Sequence, residues 1–283
     1  VNEYSDYLDL IENFLFDSIV SQDSYQQKLY DSMKYSLMSG GKRIRPLMCL
    51  LTCQMFTNDF EKALAYACGI ELIHTYSLIH DDLPAMDNDD FRRNKPTNHK
   101  VYGEAIAILA GDSLLNLASE VMVKEALKYE DKNDMIRALE AIKCIFSSSG
   151  AKGMAGGQAI DLLYDSKNSN FDICKSMYRL KTGELFKASI VSGAIIGGAD
   201  EVQVANLADI AYDIGLAYQI YDDILDIKKD QEIGKNTIIQ FLDKEPIEYA
   251  RELTQRALEN LADLELKSEK LEDLFLKILK RKS

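Results

Sequence analysis

Two short strings are rich in aspartate, and six of their carboxylates have spacing that could do chemistry: Asp81, Asp82 and Asp87 in HDDLPAMDNDD, and Asp222, Asp223 and Asp226 in YDDILD. Carboxylates this close repel one another and resist desolvation, so leaving water requires cations. Divalent metal ions would relieve the repulsion. Mg²⁺ in particular prefers one or two carboxylates completed by phosphate oxygens and retained waters. Two opposed aspartate clusters would then hold a metal-bound diphosphate between them. Basic residues lie where a second anion could bind. Lys42 and Arg45 belong to the string GGKRIRP, and Arg92-Arg93 follows the first aspartate cluster directly. Neither string has P-loop spacing, which argues against a nucleotide hydrolase.

These spacings constrain the elements that carry them. In YDDILD the i, i+1, i+4 pattern keeps all three carboxylates within about 100° of one another on a continuous helix. In HDDLPAMD an unbroken helix would put Asp81 and Asp87 about 240° apart. Pro84 disfavours helical geometry at Leu83, and the sequence predicts a local bulge that returns Asp87 to the side of Asp81. His74 lies seven residues before Asp81, about two helical turns, and so on nearly the same face. Upstream of the clusters, residues 63–80 and 204–227 are apolar on almost every side, as expected of helices at the centre of a large bundle. Amphipathic helices are predicted over 2–19, 26–38 and 46–56, with one or two surface helices in 247–280. No alternating strand pattern appears. The expected fold is all-α, a single domain over residues 1–283.

Composition narrows the partners. The 4 prolines and 15 glycines rule out a collagen-like or linker-rich chain. A net charge of −13 argues against nucleic acid or an anionic membrane as a general partner. No uninterrupted apolar run reaches the ~18 residues of a bilayer span, and Val1 begins no signal-peptide pattern. The 5 cysteines show no CxxC spacing. Cys49 and Cys53, four apart on a helix, read as buried packing, and the expected compartment is the reducing cytoplasm.

Six strings occur in an order that resembles the trans-prenyltransferases, or polyprenyl diphosphate synthases: GGKRIRP, HTYSLIHDDLPAMDNDDFRR, KPTNHKVYGEAIAILAGDSLL, GMAGGQAIDL, LKTGELF and QIYDDILD. The resemblance is greatest to bacterial farnesyl diphosphate synthases and covers roughly Ser32 to Lys235. It implies the all-α isoprenoid-synthase bundle around a deep cavity, usually a homodimer. It further implies that Asp81 and Asp87 bind Mg²⁺ with Asp82 in support, and that Asp222, with Asp223 and Asp226, holds a third Mg²⁺. Lys42, Arg45, His74 and Arg93 match positions for the isopentenyl diphosphate headgroup. Arg92, Lys181 and Lys235 match positions for the allylic diphosphate. Lys181, Thr182 and Gln219 are the implied catalytic set, Thr182 and Gln219 lining the reacting carbons, and Gln158 and Asp161 fall in the GQxxDL motif. Tyr76 and Ser77 match the chain-length positions. By residue type alone, His74 reads as a hydrogen-bonded core histidine and Tyr76 as a packed core tyrosine.

The implied reaction is head-to-tail 1′-4 condensation of isopentenyl diphosphate with dimethylallyl or geranyl diphosphate. A bulky aromatic at position 76 goes with a C15 product in the family, and smaller residues with longer chains. After DILD the family carries a longer loop with a GSD segment and a second lysine; this chain runs IKKDQEIGKNTIIQFL. The alternatives are a C20 synthase and a non-catalytic partner subunit, the latter made more plausible by the short segment. A terpene cyclase fits less well, since DDILD and GGKRIRP have no place in it. An HD-type phosphohydrolase leaves Asp222, Asp226 and Lys42 without roles.

Overall fold

The computed structural model describes residues 3–20, 24–164, 168–233 and 237–279. Its helices in chain order are α1 (Ser5–Ser18), α2 (Gln27–Leu37), α3 (Ile44–Phe56), α4 (Leu64–Asp81), α5 (Asn98–Tyr102), α6 (Glu104–Ala126) and α7 (Lys132–Ser149). They continue with α8 (Met154–Leu163), α9 (Phe171–Tyr178), α10 (Glu184–Gly197), α11 (Glu201–Ile233), α12 (Pro246–Ala262) and α13 (Glu269–Leu279). The expected all-α class is the observed one. α3 starts two residues before Pro46, which therefore sits in the first turn, where its missing N–H has no intrahelical partner to lose.

Helix α4 is the central rod. Tyr66, Ile70, Leu72 and Ile73 on it are fully buried, and it packs against α3 and α6. Helix α10 is buried over most of its length and packs against α3, α7 and α11. Helices α4 and α10 bury on every side because other helices surround them; α11, which carries the second stretch expected at the centre, leaves Ala205, Asn206 and Asp209 exposed. The amphipathic ones bury a single stripe, such as Tyr7, Ile11 and Leu15 on α1.

The structure corrects one expectation, settles a second and adds to a third. Phe91–Arg92 pairs antiparallel with Lys95–Pro96 in a two-residue hairpin, too short for an alternating pattern to reveal. Arg93 and Asn94 at its tip both have positive φ, 53° and 61°, the backbone of a tight I′-type hairpin turn. The C-terminal region forms two helices, α12 and α13. Finally, α6 is long and apolar enough to cross a membrane by length and composition, with a mean hydropathy of 1.5 over an 18-residue window that is 33% buried. Its charged residues interrupt the apolar run without lowering the average below that of a span.

Candidate active site

The first aspartate cluster is built by ending a helix. α4 stops at Asp81, and the next residues form tight turns in place of the expected bulge. The Asp87 N–H donates to the Asp81 carbonyl at 2.8 Å, so the chain doubles back and Asp87 returns beside Asp81. Burial pushes the Asp81 carboxyl pKa up to about 6; Lys181 and Arg92 counter this, while Asp87 and Asp82 add to it. Asp82 faces the other way. It is 3% exposed and accepts from Arg92 Nε at 2.8 and 2.9 Å and from Nη2 at 2.6 Å.

The second cluster rides on the unbroken helix α11. Asp222 lines the same cavity as Asp81. Asp223, 3% exposed, points into a relay. Tyr178 Oη donates to Asp223 Oδ2 at 2.6 Å, and Gln219 Nε2 donates to its Oδ1 at 3.2 Å. Thr182 Oγ1 in turn donates to Gln219 Oε1 at 2.9 Å, and the Ile238 N–H donates to Tyr178 Oη at 3.2 Å. Thr182 and Gln219 are thus locked together at the cavity wall.

The cavity between the two walls has a volume of about 590 Å³, within the ordinary range for a small-molecule site. Tyr76, Ser77 and Asp81 line it from α4, and Lys181 and Thr182 from the π-helical turn Arg179–Gly183. Lys181 Nζ pairs with Asp161 Oδ2 on α8 at 2.6 Å. Close packing sets that pair: a Cβ on Gly157 would stand 2.2 Å from the Lys181 backbone nitrogen, so only glycine lets α8 lie directly on the turn. Gln158, next along α8, lines the cavity with its amide N and O both buried and lacking a protein partner. A buried amide in that state is costly unless a ligand satisfies it.

A second cavity, of about 360 Å³, is lined by Lys42, Arg43, Arg45, His74 and Arg93. Arg45, His74, Arg93 and Tyr218 line both cavities. Arg45 Nη1 lies 3.4 Å from His74 Nε2. Burial holds the His74 pKa well below the usual histidine value, and Arg45, Arg93, Arg92 and Arg43 lower it further. The ring is therefore neutral at pH 7 and its Nε2 accepts from Arg45. Arg45 Nε is buried without a partner. Arg93 Nη1 donates to the Gly40 carbonyl, which ties the hairpin to the glycine loop. The structure thus gathers the basic residues into a cradle with open hydrogen-bonding capacity, suited to an anion.

The carboxylates fit a metal ion bound through a ligand. Among the described residues no three His, Cys, Asp or Glu side chains are grouped closely enough to hold a metal by themselves. Asp81 and Asp222, carboxylates on two walls of one cavity, are the sparse donor set that Mg²⁺ uses when phosphate oxygens complete its shell. The Asp226 side chain and all of Lys235 lie outside the described residues. Cys49 and Cys53 are buried, and burial pushes both thiol pKa values up to about 12.

Residue patterns missed two supporting groups. Arg43, in the left-handed region at φ 47°, is buried. Its Nε and Nη1 bond Glu12 and Glu71 at 2.7 and 2.8 Å, and its Nη2 bonds the Leu37 carbonyl at 2.6 Å. Nothing in GGKRIRP distinguishes this structural arginine from the cavity-facing Arg45, apart from their positions relative to a helix start. Tyr178 lies two residues before LKTGELF and carries no signal of its own.

Comparison with known proteins agrees with this architecture. The chain is 48% identical over 209 residues to the farnesyl diphosphate synthase of Geobacillus stearothermophilus, covering 74% of this chain and 69% of that protein. It is 41% identical over 253 residues to the chloroplastic geranylgeranyl pyrophosphate synthase of Catharanthus roseus, covering 84% and 69%. A crystal structure of an FPP/GFPP synthase from Zymomonas mobilis superposes with a TM-score of 0.87 at 36% identity, covering 96% of both chains. The sequence pattern of the polyprenyl synthetase family matches residues 26–246. The chain belongs to that family and is a trans-prenyl diphosphate synthase.

Proposed function

We propose that the protein condenses isopentenyl diphosphate with dimethylallyl and then geranyl diphosphate, and releases farnesyl diphosphate. Asp81, Asp87 and Asp222 would hold Mg²⁺, which supplies charge neutralisation at the leaving pyrophosphate. Lys181 and Arg92 hold the allylic diphosphate, and Lys42, Arg45, His74 and Arg93 hold isopentenyl diphosphate. Negative charge grows on the departing pyrophosphate as the C–O bond breaks, and fixed cations stabilise that charge most. Thr182 and Gln219, locked to each other, flank the reacting carbons. The isopentenyl alkene attacks the allylic cation, and loss of a proton completes the 1′-4 bond. Apolar side chains such as Leu185 and Leu162 along the cavity keep out water that would quench the cation.

The observation that carries the C15 reading is Tyr76, a bulky ring on the cavity wall, five residues and about 7.5 Å along the helix from Asp81. Tyr76→Ala should lengthen the product toward C20, and an unchanged C15 profile on chromatography of dephosphorylated products would place the floor elsewhere. A C20 product for the native chain is the second reading, favoured by the geranylgeranyl relative at 41% identity. The occupied set of cavity residues favours a catalytic chain over a silent partner subunit.

We further infer a homodimer. Ile108, Leu109 and Val123 on α6, and Ile136 and Leu139 on α7, are exposed apolar residues on adjacent helices. A face of that kind marks an association surface. Leu109→Glu should shift the sedimenting species to monomer mass. The five unbridged cysteines are consistent with a cytoplasmic location.

A further inference from the structure

The part of the cavity wall formed by Tyr76 has a brace in His80, which lines the cavity beside it. His80 follows Tyr76 by one turn on α4 and meets its ring edge-on, with centroids 5.7 Å apart and planes at 78°. Contacts of this geometry orient rings as well as bury area. His80 Nε2 donates to the Ile108 carbonyl on α6 at 3.1 Å; a carbonyl can only accept, so this nitrogen carries the proton. The Asp112 carboxylate lies 3.9 Å from the same nitrogen. The ring fits there because residue 111 has no side chain. A Cβ at Gly111 would stand 2.2 Å from His80 Nε2, 2.5 Å from Cδ2 and 2.9 Å from Cε1. The imidazole is therefore wedged between a notch in α6 and the edge of Tyr76.

We propose that His80, seated in the notch at Gly111, positions the Tyr76 ring and thereby sets product length together with it. The inference rests on the reading of Tyr76 as the floor for the growing tail. His80 is a positioning residue that acts through Tyr76. Two opposite displacements follow. Removing the imidazole in His80→Ala gives Tyr76 room to swing toward α6, and the space for the tail grows. A methyl group in Gly111→Ala drives the imidazole off the Ile108 carbonyl and against Tyr76, and the space shrinks.

The full chain is assayed with isopentenyl diphosphate, dimethylallyl diphosphate and Mg²⁺, and product lengths are read after dephosphorylation. His80→Ala is expected to raise the C20-to-C15 ratio about tenfold, the discrimination that a small change of pocket volume supplies. Gly111→Ala is expected to move the profile the other way, toward C10. In the double variant the added methyl meets no ring, so the profile should match His80→Ala alone. If Gly111→Ala is too unstable to purify, the double variant should recover the lost thermal stability, and His80→Ala carries the length measurement. An unchanged profile in His80→Ala, with lengthening in Tyr76→Ala, would overturn the brace and leave Tyr76 as the floor. A Gly111→Ala shift that persists undiminished without the imidazole would also overturn it. Unchanged profiles in both Tyr76→Ala and His80→Ala would remove the floor and the brace together.

Discussion

The two aspartate-bearing walls share a residue pattern and differ in backbone. At the end of α4 the helix stops and the chain turns back, so Asp87 is returned to Asp81 by the Asp87 N–H to Asp81 carbonyl bond. On α11 the helix continues through Asp222 and Asp223 without a break. Yet both walls treat their adjacent pair alike. The first aspartate, Asp81 or Asp222, lines the cavity. The second, Asp82 or Asp223, is buried at 3% exposure and bonded to protein groups. Neighbours on a helix point about 100° apart, so one of each pair must turn from the cavity. A pair of aspartates in sequence is thus one cavity-facing carboxylate and one strut.

The largest expected effects fall on the cavity-facing members. Asp81→Ala and Asp222→Ala should each lower turnover by about a hundred- to a thousandfold, because each weakens charge stabilisation at the leaving group. Activity of either variant near the native level would dismiss that wall from the chemistry. EDTA should likewise abolish condensation and added Mg²⁺ restore it.

The struts should respond in the opposite proportion. Asp223→Ala strips partners from Tyr178 and Gln219 and should cost about 2–3 kcal/mol of stability in urea denaturation. Asp82→Ala should cost about 1–2 kcal/mol, less because Arg92 is partly exposed and can be solvated. Both should retain more turnover than their neighbours' variants. A turnover loss in Asp82→Ala equal to that in Asp81→Ala would break the distinction between facing residue and strut.

The two cavities extend the comparison to the cations. Lys42 lines only the smaller one, whereas Arg45 lines both. Lys42→Ala should therefore weaken isopentenyl diphosphate alone, by roughly tenfold, the equivalent of a charge-assisted hydrogen bond. Arg45→Ala should weaken isopentenyl diphosphate most and, because its side chain also borders the larger cavity, the allylic substrate to a smaller degree. Equal losses for both substrates in Lys42→Ala titrations would merge the two cavities into one anion site.

The smallest effect concerns His74. Its folded pKa is depressed below its unfolded value by burial and then by the surrounding arginines. In the ligand-free protein the unfolded state therefore binds the extra proton first, and this group's contribution to stability is lost as the pH falls through about 6.5. His74→Gln should show a shallower decline in thermal unfolding temperature between neutral pH and pH 5 than the native chain. Parallel declines would mean that His74 is not held neutral.

The all-α class, the helices α1 to α4 and α11 to α13 and the positions of the aspartates were legible in the sequence. Each depends on periodicity over a few neighbouring residues, and Pro84 marked a break in the helix, although the break is a set of turns and not the expected bulge. The two-residue hairpin carrying Arg92 and Arg93 was not legible, because so few residues hold no pattern. Nor was the membrane-like average of α6, whose scattered charges hide it from a search for unbroken runs. Which member of each aspartate pair faces the cavity depends on Arg92 across a hairpin and on Tyr178, 45 positions from Asp223. The burial of Arg43 beside an exposed Lys42 likewise depends on Glu12 and Glu71, 31 and 28 positions away. Gly111 and His80, 28 positions from His80's acceptor at Ile108, meet only when α4 and α6 pack. Local spacing determines where a side chain lies on its own helix. Packing between distant segments decides what it touches, because the partners that satisfy a buried charge or shape a cavity floor come from elsewhere in the chain.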